Sequence, residues 1–141
     1  MADDEASIMA GHVTGIGGIF FKCDDPTETK AWYGKTLGFP VTEYGTSFPF
    51  REDDDPDKRG YVIHSPFGKD NDYFKPSDKD FMVNFRVRDL DGMVEKLIAA
   101  GIEMVGEPES HPYGKFAWIM DPNGIKLELW EQVGPPPDEA E

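Results

Sequence analysis

Cysteine is almost absent from this sequence, which also has no long apolar run and no excess of basic side chains. Cys23 is the single cysteine among 141 residues, so the chain cannot form an internal disulfide. No stretch approaches the roughly 18 consecutive apolar residues that indicate a membrane-spanning helix. Twenty-eight acidic residues against 14 basic ones give a formal charge of −14, which repels nucleic-acid phosphates and anionic membrane surfaces. We therefore expect neither a nucleic-acid partner nor a membrane partner.

Apolar residues are nevertheless plentiful enough for one folded domain. They make up 38% of the chain and include ten Phe, five Tyr and three Trp. We place this domain at 15–131, between an N-terminal tail at 1–14 and an acidic, proline-rich tail at 132–141. The N-terminal sequence Met-Ala-Asp-Asp-Glu-Ala lacks the basic and then apolar order of a secretory signal, so we expect a cytoplasmic protein.

A weak internal repeat relates the two halves of the domain. The sequence Ile-Phe-Phe-Lys-Cys-Asp-Asp at 19–25 reappears 64 residues later as Val-Asn-Phe-Arg-Val-Arg-Asp at 83–89. Each copy then shows the same order of signals, which is an alternating strand, a helix that begins at an Asp, and three further strands. We predict two modules, module one at 15–67 and module two at 80–131, joined by a charged connector at 68–79.

The alternation of residues within the strands predicts two different faces of the sheet, because successive side chains point to opposite sides. In the first and fourth strands of both modules the odd positions are almost all apolar, and we predict that they pack beneath the helices. The even positions combine aromatic, amide and charged groups, as in a ligand cavity, although a solvated sheet face is the alternative. For the cavity we predict the ligand-binding residues Phe20, Asn84, Arg86, Trp118 and Trp130. We expect Lys22 to extend into solvent.

Two segments carry a resemblance to a known family. Trp-Tyr-Gly-Lys-Thr-Leu-Gly-Phe at 32–39 resembles an aromatic helix that ends in Leu-Gly-Phe, and Asp-Pro-Asn-Gly-Ile-Lys-Leu-Glu-Leu at 121–129 resembles a final turn and strand. Both are similar to segments of the vicinal oxygen chelate superfamily, which includes glyoxalase I, bleomycin-resistance proteins, thiol transferases and extradiol dioxygenases. The resemblance implies an α+β fold, in which two tandem βαβββ modules form a cup-shaped mixed sheet with the helices on its convex face.

The resemblance also implies where a metal ion would bind, on the first and fourth strands of both modules. The corresponding positions, which the 64-residue repeat also pairs, are Gly18, His64, Met82 and Glu128. Only His64 and Glu128 could bind a hard or borderline metal ion, whereas a catalytic zinc usually has three protein ligands. We assign His12 to the N-terminal tail and His111 to a loop. We therefore predict an incomplete site without a resident cofactor, and the alternative is a weakly bound divalent metal.

The incomplete site favours a protein that binds a small organic ligand in the cup, similar to the bleomycin-resistance branch. The alternative is an isomerase or lyase that resembles glyoxalase I, in which His64 and Glu128 meet near the pseudo-twofold axis and hold a metal or act as acid and base. Dioxygenases and thiol transferases fit worst, because they require two histidines and a glutamate at these positions. A non-catalytic interaction module is a third alternative. The resemblance further implies a homodimer.

Overall fold

The computed structural model of the protein describes residues 11–136, which contain eight strands and two α-helices. The elements of module one are β1 (His12–Cys23), α1 (Pro26–Leu37), β2 (Val41–Thr42), β3 (Gly45–Arg51) and β4 (Arg59–Gly68). A 3-10 turn follows at Asp72–Phe74. The elements of module two are β5 (Phe81–Arg88), α2 (Leu90–Ala99), β6 (Glu109–His111), β7 (Gly114–Met120) and β8 (Lys126–Gln132).

The strands form one mixed sheet in the order β2-β3-β4-β1-β5-β8-β7-β6. Within each module the first strand pairs in parallel with the fourth, so β1 lies beside β4 and β5 beside β8. The two modules join where β1 and β5 pair antiparallel at the centre of the sheet. The predicted α+β class with two tandem modules is therefore confirmed.

The N-terminal ends of both helices follow from the predicted caps. Asp25 accepts a hydrogen bond from the backbone of Glu28 at 3.1 Å, and Pro26 occupies the first turn of α1. Gly38 ends α1 with a left-handed backbone (φ 73°), which glycine adopts without steric cost. Asp89 caps α2 in the same way and accepts from the backbone of Gly92 at 3.1 Å. Each helix therefore begins directly after a capping aspartate that follows the first strand of its module.

Some predicted boundaries are corrected by the structure. His12 is not a tail residue, because β1 already begins there and His12 pairs with Arg88 of β5. At the other end, β8 extends to Gln132, one residue into the predicted C-terminal tail. His111 ends the short strand β6 and does not lie in a loop. The outermost tail residues, 1–10 and 137–141, lie outside the described part of the chain.

Both helices pack on one face of the sheet, which we call the helix face, and the opposite face is the cavity face. Beneath α2 a buried apolar cluster consists of Val87, Leu90, Ala117 and Leu129. A second cluster on the cavity face consists of Phe20, Phe74, Met82 and Trp118. Within residues 11–136 neither helix is long and apolar enough to cross a membrane.

Candidate functional site

The cavity face of the sheet carries a half-open pocket of about 410 Å³. Thirteen of the described residues line it, and eight of these are Phe, Tyr or Trp. Five of the seven predicted site residues lie in its wall, namely Phe20, Asn84, Trp118, Glu128 and Trp130. The structure thus brings together most of the residues that the strand alternation selected, and we refer to this pocket as the cavity.

Glu128 is the buried polar centre of the cavity, with 4% of its surface exposed. Its Oε1 atom accepts a hydrogen bond from Asn84 Nδ2 at 2.6 Å. Its Oε2 atom accepts from Trp118 Nε1 at 3.0 Å and from the hydroxyl of Tyr73 through a short hydrogen bond. Because all three neighbours donate, the arrangement matches an ionised carboxylate, which only accepts.

A glycine makes room for the amide that supports Glu128. Gly17 lies so close to Asn84 that a Cβ atom at this position would be 2.1 Å from Asn84 Oδ1. Any side chain at Gly17 would therefore displace the amide that donates to Glu128. The signal for this contact in the sequence is the pair of consecutive glycines at 17 and 18. We did not predict that Gly17 makes room for Asn84.

Tyr73 closes one side of the cavity, although the sequence analysis assigned it to the connector. Burial raises the pKa of its phenol, and the neighbouring charge of Glu128 adds to the effect, so the hydroxyl remains a donor. Behind its ring, Lys126 Nζ lies 4.9 Å from the ring centroid and donates to the backbone oxygen of Tyr73 at 2.5 Å. Burial lowers the pKa of this ammonium. Lys126 therefore supports Tyr73 from outside the cavity wall.

The edge of the sheet contributes a second acidic group to the cavity. Glu109 Oε1 lies 2.9 Å from His111 Nε2, and both residues line the cavity. The His111 ring stacks on Tyr113 with a centroid distance of 5.3 Å and an interplanar angle of 5°. This group was not predicted from the sequence, where His111 was placed in a loop and not in β6.

His64 does not reach the cavity, so the predicted His64–Glu128 pair does not form. Its imidazole lies on the helix face among the rings of Phe21, Tyr33 and Phe39, at centroid distances of 5.1, 4.6 and 5.2 Å. Burial in this environment lowers the pKa of His64. Glu128 lies on the opposite face, with β1 and β5 between their two strands.

The physical reason is a change of one residue in the spacing of the two modules. In module one His64 follows its β1 partner Ile19 by 45 residues, whereas in module two Leu127 follows its β5 partner Val83 by 44. A shift of one residue moves every side chain of a strand to the other face. The 64-residue repeat therefore holds for β1 and β5 and fails at β4, where Ile63 takes the cavity face.

Arg86, which we predicted as a ligand-binding residue, does not line the cavity. Its guanidinium is buried between the rings of Phe50 and Trp130, at 5.0 and 5.1 Å from their centroids. Its Nη2 atom forms an ion pair with Glu52 Oε1 at 2.7 Å. Arg86 thus fixes the loop after β3 against module two. Lys22 lies 5.4 Å from the Phe74 ring centroid.

The donor set of the cavity does not fit a three-ligand metal centre. Met82 is fully buried in the apolar cluster and Gly18 has no side chain, which leaves Glu128 as the single ionisable group among the four implied positions on this face. Its two oxygens already accept three hydrogen bonds. Across residues 11–136, no group of three His, Cys, Asp or Glu side chains is placed to hold a metal ion.

The topology and the cavity define a two-module α+β protein whose mixed sheet carries a small pocket on one face. The family model described as Glyoxalase/Bleomycin resistance protein/Dioxygenase superfamily matches residues 11–129. The chain belongs to this superfamily, as the two sequence segments predicted. No curated protein sequence matches the chain.

Solved structures with low sequence identity share this fold. A variant of Streptomyces coelicolor methylmalonyl-CoA epimerase in complex with 2-nitronate-propionyl-CoA matches with a TM-score of 0.66 and 16% identity, covering 86% of this chain and 99% of that chain. Methylmalonyl-CoA epimerase from Mycobacterium tuberculosis matches with a TM-score of 0.56 and 19% identity, covering 91% and 92%. The Mn(II)-bound glyoxalase from Novosphingobium aromaticivorans gives 0.57 and 16%, covering 89% of this chain and 42% of that chain.

Proposed function

We propose that the protein binds a small organic molecule in the cavity and that Glu128 orients it. The observation that supports this proposal is a buried carboxylate in the wall of a pocket that is otherwise lined mainly by aromatic rings. The volume of about 410 Å³ falls in the range of small-molecule sites, which combine apolar walls with a few polar groups. Apolar contact then supplies most of the affinity, and the polar group sets the orientation.

Glu128 retains acceptor capacity for a ligand. A carboxylate offers about four acceptor positions, and the protein occupies three of them. Oε1 accepts from Asn84 alone, whereas Oε2 accepts from both Tyr73 and Trp118. A donor group of the ligand would therefore hydrogen-bond to Oε1, at the position that the three protein donors keep fixed.

The alternative function is an isomerase or lyase that uses Glu128. The predicted acid/base partner of Glu128 in such a reaction is not in the cavity, because His64 lies on the helix face. The similar epimerase structures have 16 and 19% identity to this chain, so they support the fold and not the reaction. We infer that binding needs no metal ion, since no three His, Cys, Asp or Glu side chains among the described residues are placed together to hold one.

Tryptophan fluorescence tests the proposal, because Trp118 and Trp130 line the cavity while Trp32 lies exposed on α1. Titration with a panel of small aromatic compounds should give saturable quenching that EDTA leaves unchanged. Glu128→Gln should weaken the best ligand about tenfold, since a hydrogen bond to a charged group contributes about 1.5–3 kcal/mol. Glu103→Gln removes the same charge from an exposed position outside the cavity and should change nothing.

Three results would contradict this proposal: no saturable quenching across the panel, equal affinity in Glu128→Gln, or binding that EDTA abolishes. Turnover of a hemithioacetal or 2-oxo substrate that disappears in Glu128→Gln would instead establish the isomerase alternative. Circular dichroism of both variants checks that they fold.

A further inference from the structure

We propose that Tyr61 is a second polar anchor of the cavity, whose hydroxyl donates a hydrogen bond to an acceptor group of the ligand. This inference rests on the proposed function because it concerns the same cavity. It narrows the ligand to compounds that carry two groups, a donor that binds Glu128 and an acceptor, such as a carbonyl oxygen, that binds Tyr61.

Tyr61 is a buried side chain that presents a hydroxyl to the cavity. It lies in β4, has 6% of its surface exposed and lines the cavity. Its ring packs against the ring of Trp130, with a centroid distance of 4.9 Å and an interplanar angle of 74°. Within residues 11–136 the hydroxyl has no hydrogen-bond partner, and protein atoms do not seal its oxygen off. The hydroxyl is therefore accessible to a ligand.

A buried tyrosine hydroxyl normally has a hydrogen-bond partner. Burial raises the pKa of Tyr61, and the nearby phenol of Tyr113 adds to the effect, so the hydroxyl keeps its proton near neutral pH. A ligand that displaces water from this proton without supplying an acceptor loses affinity. A ligand with an acceptor at this position recovers the lost hydrogen bond.

The other polar groups of the wall differ from Tyr61 because they already have partners or lie in water. Three of them donate to the carboxylate of Glu128, namely Tyr73, Asn84 and Trp118. Trp130 Nε1 donates to the backbone oxygen of Tyr113 at 3.4 Å. The side chain of Tyr113 is 55% exposed, so water can solvate its hydroxyl. We therefore assign the contact with the ligand acceptor to Tyr61.

Three neutral probes of similar shape test the assignment. 4-Aminoacetophenone has an amine donor and a carbonyl acceptor. 4-Isopropenylaniline keeps the amine and replaces the carbonyl oxygen by a methylene group, and acetophenone keeps only the carbonyl. The 3-substituted isomers of both amines are measured in parallel, so that a second span between the two groups is covered. Isothermal calorimetry should show that the better aminoacetophenone isomer binds about fivefold more tightly than the matching isopropenylaniline.

Tyr61→Phe isolates the contribution of the hydroxyl, because it keeps a ring against Trp130. The carbonyl also makes the amine of the probe a stronger donor, so the quantity to compare is the ratio of the two affinities. Tyr61→Phe should reduce this ratio about fivefold. Tyr44→Phe, at a position that is 82% exposed and outside the cavity wall, should leave the ratio unchanged. Glu128→Gln should weaken both amines and preserve the ratio.

Infrared spectroscopy of the probe provides a second readout. An isotope-labelled carbonyl should absorb at lower frequency when it binds to the wild-type protein than when it binds to Tyr61→Phe, because a hydrogen bond weakens the carbonyl bond. Equal frequencies or equal affinity ratios in the two proteins would overturn the role of Tyr61 and leave the proposed binding function intact. If no probe binds, this role is also overturned, and the broader aromatic panel then decides whether the cavity binds ligands at all.

Discussion

Module two packs its helix on a buried cluster, whereas no side chain of the helix of module one is fully buried. The sequences explain this difference. In α2 the apolar residues that pack on this cluster recur with the spacing of one helix face, at Leu90, Met93, Val94 and Leu97. In α1 the first turns are polar, and Trp32 and Leu37 remain more than half exposed. Two helices at equivalent places in the topology therefore contribute unequally to stability.

The cavity face shows the same inequality in its chemistry. Module two supplies the polar residues Asn84 and Glu128, whereas the strands of module one supply the apolar residues Phe20 and Ile63 and the aromatic Tyr61. Module one has a titratable histidine in β4, but the register of that strand directs it away from the cavity. A pseudo-symmetric backbone thus carries a one-sided site, because a single additional residue between β1 and β4 reversed the faces of one strand.

The largest expected effect compares two leucines at equivalent helices. Leu90→Ala should lower the free energy of unfolding by about 2–5 kcal/mol, because Leu90 is 1% exposed and the truncation leaves a cavity in the cluster beneath α2. Leu37→Ala, at a position that is 57% exposed, should change it by about 0.5 kcal/mol or less. Urea denaturation followed by circular dichroism measures both.

Equal losses for the two leucine variants would break the comparison between the modules. A loss above about 1 kcal/mol for Leu37→Ala that grows with protein concentration would have a different meaning. It would indicate that the predicted homodimer covers α1, so the exposed apolar residues of module one are buried in the assembly.

Tyr73 links the polar residues of module two to the segment between the modules, and its removal should have an intermediate effect. Tyr73→Phe deletes the hydroxyl that donates to Glu128, and we expect a loss of about 1.5–3 kcal/mol in the free energy of unfolding near neutral pH. Equilibrium urea unfolding measures this loss. Glu128 would keep two donors, Trp118 and Asn84.

Tyr73→Phe should also change how the free energy of unfolding depends on pH in the alkaline range. Burial and the charge of Glu128 raise the pKa of Tyr73, so the folded protein keeps this proton at pH values where the unfolded chain has lost it. The stabilisation is complete below about pH 10 and declines as the pH rises further. Wild type should therefore lose more stability than Tyr73→Phe between about pH 9 and about pH 11. Burial also raises the pKa of Tyr61, but this residue is present in both proteins. If the curves of unfolding free energy against pH were parallel for wild type and Tyr73→Phe, they would contradict a raised pKa of Tyr73 in the folded protein.

The sequence predicts most of the fold because its signals are local. Asp25 and Gly38 mark the ends of α1, and strict alternation assigns Phe20, Asn84 and Glu128 to one face. Register between distant strands is not local, so the repeat could not show that β4 is shifted by one residue. Tyr73 was missed for a related reason. A 3-10 turn has no long periodicity, and nothing in its composition shows which way its rings point.

The smallest expected effect is the pH dependence that His64 gives to the free energy of unfolding. Its sign shows whether the imidazole is buried among aromatic rings or faces a carboxylate. Burial among aromatic rings lowers its pKa, so below about pH 6.5 the unfolded chain binds a proton that the folded protein resists. The contribution of His64 to stability is therefore present above that pH and is lost on acidification. His64→Phe keeps a ring between Tyr33 and Phe39 and removes the titration. Between about pH 7.5 and about pH 5.5, wild type should lose more stability than this variant.

The predicted His64–Glu128 pair would give the opposite sign, because a neighbouring carboxylate raises the pKa of an imidazole. Stability contributed by such a pair would increase as the pH falls, until the carboxylate itself is protonated. The difference in unfolding free energy between wild type and His64→Phe, measured at several pH values, isolates this contribution because the other acidic groups are common to both proteins. A difference that grows in favour of wild type on acidification would mean that His64 faces an acid, and β4 would then have to shift its register by one residue.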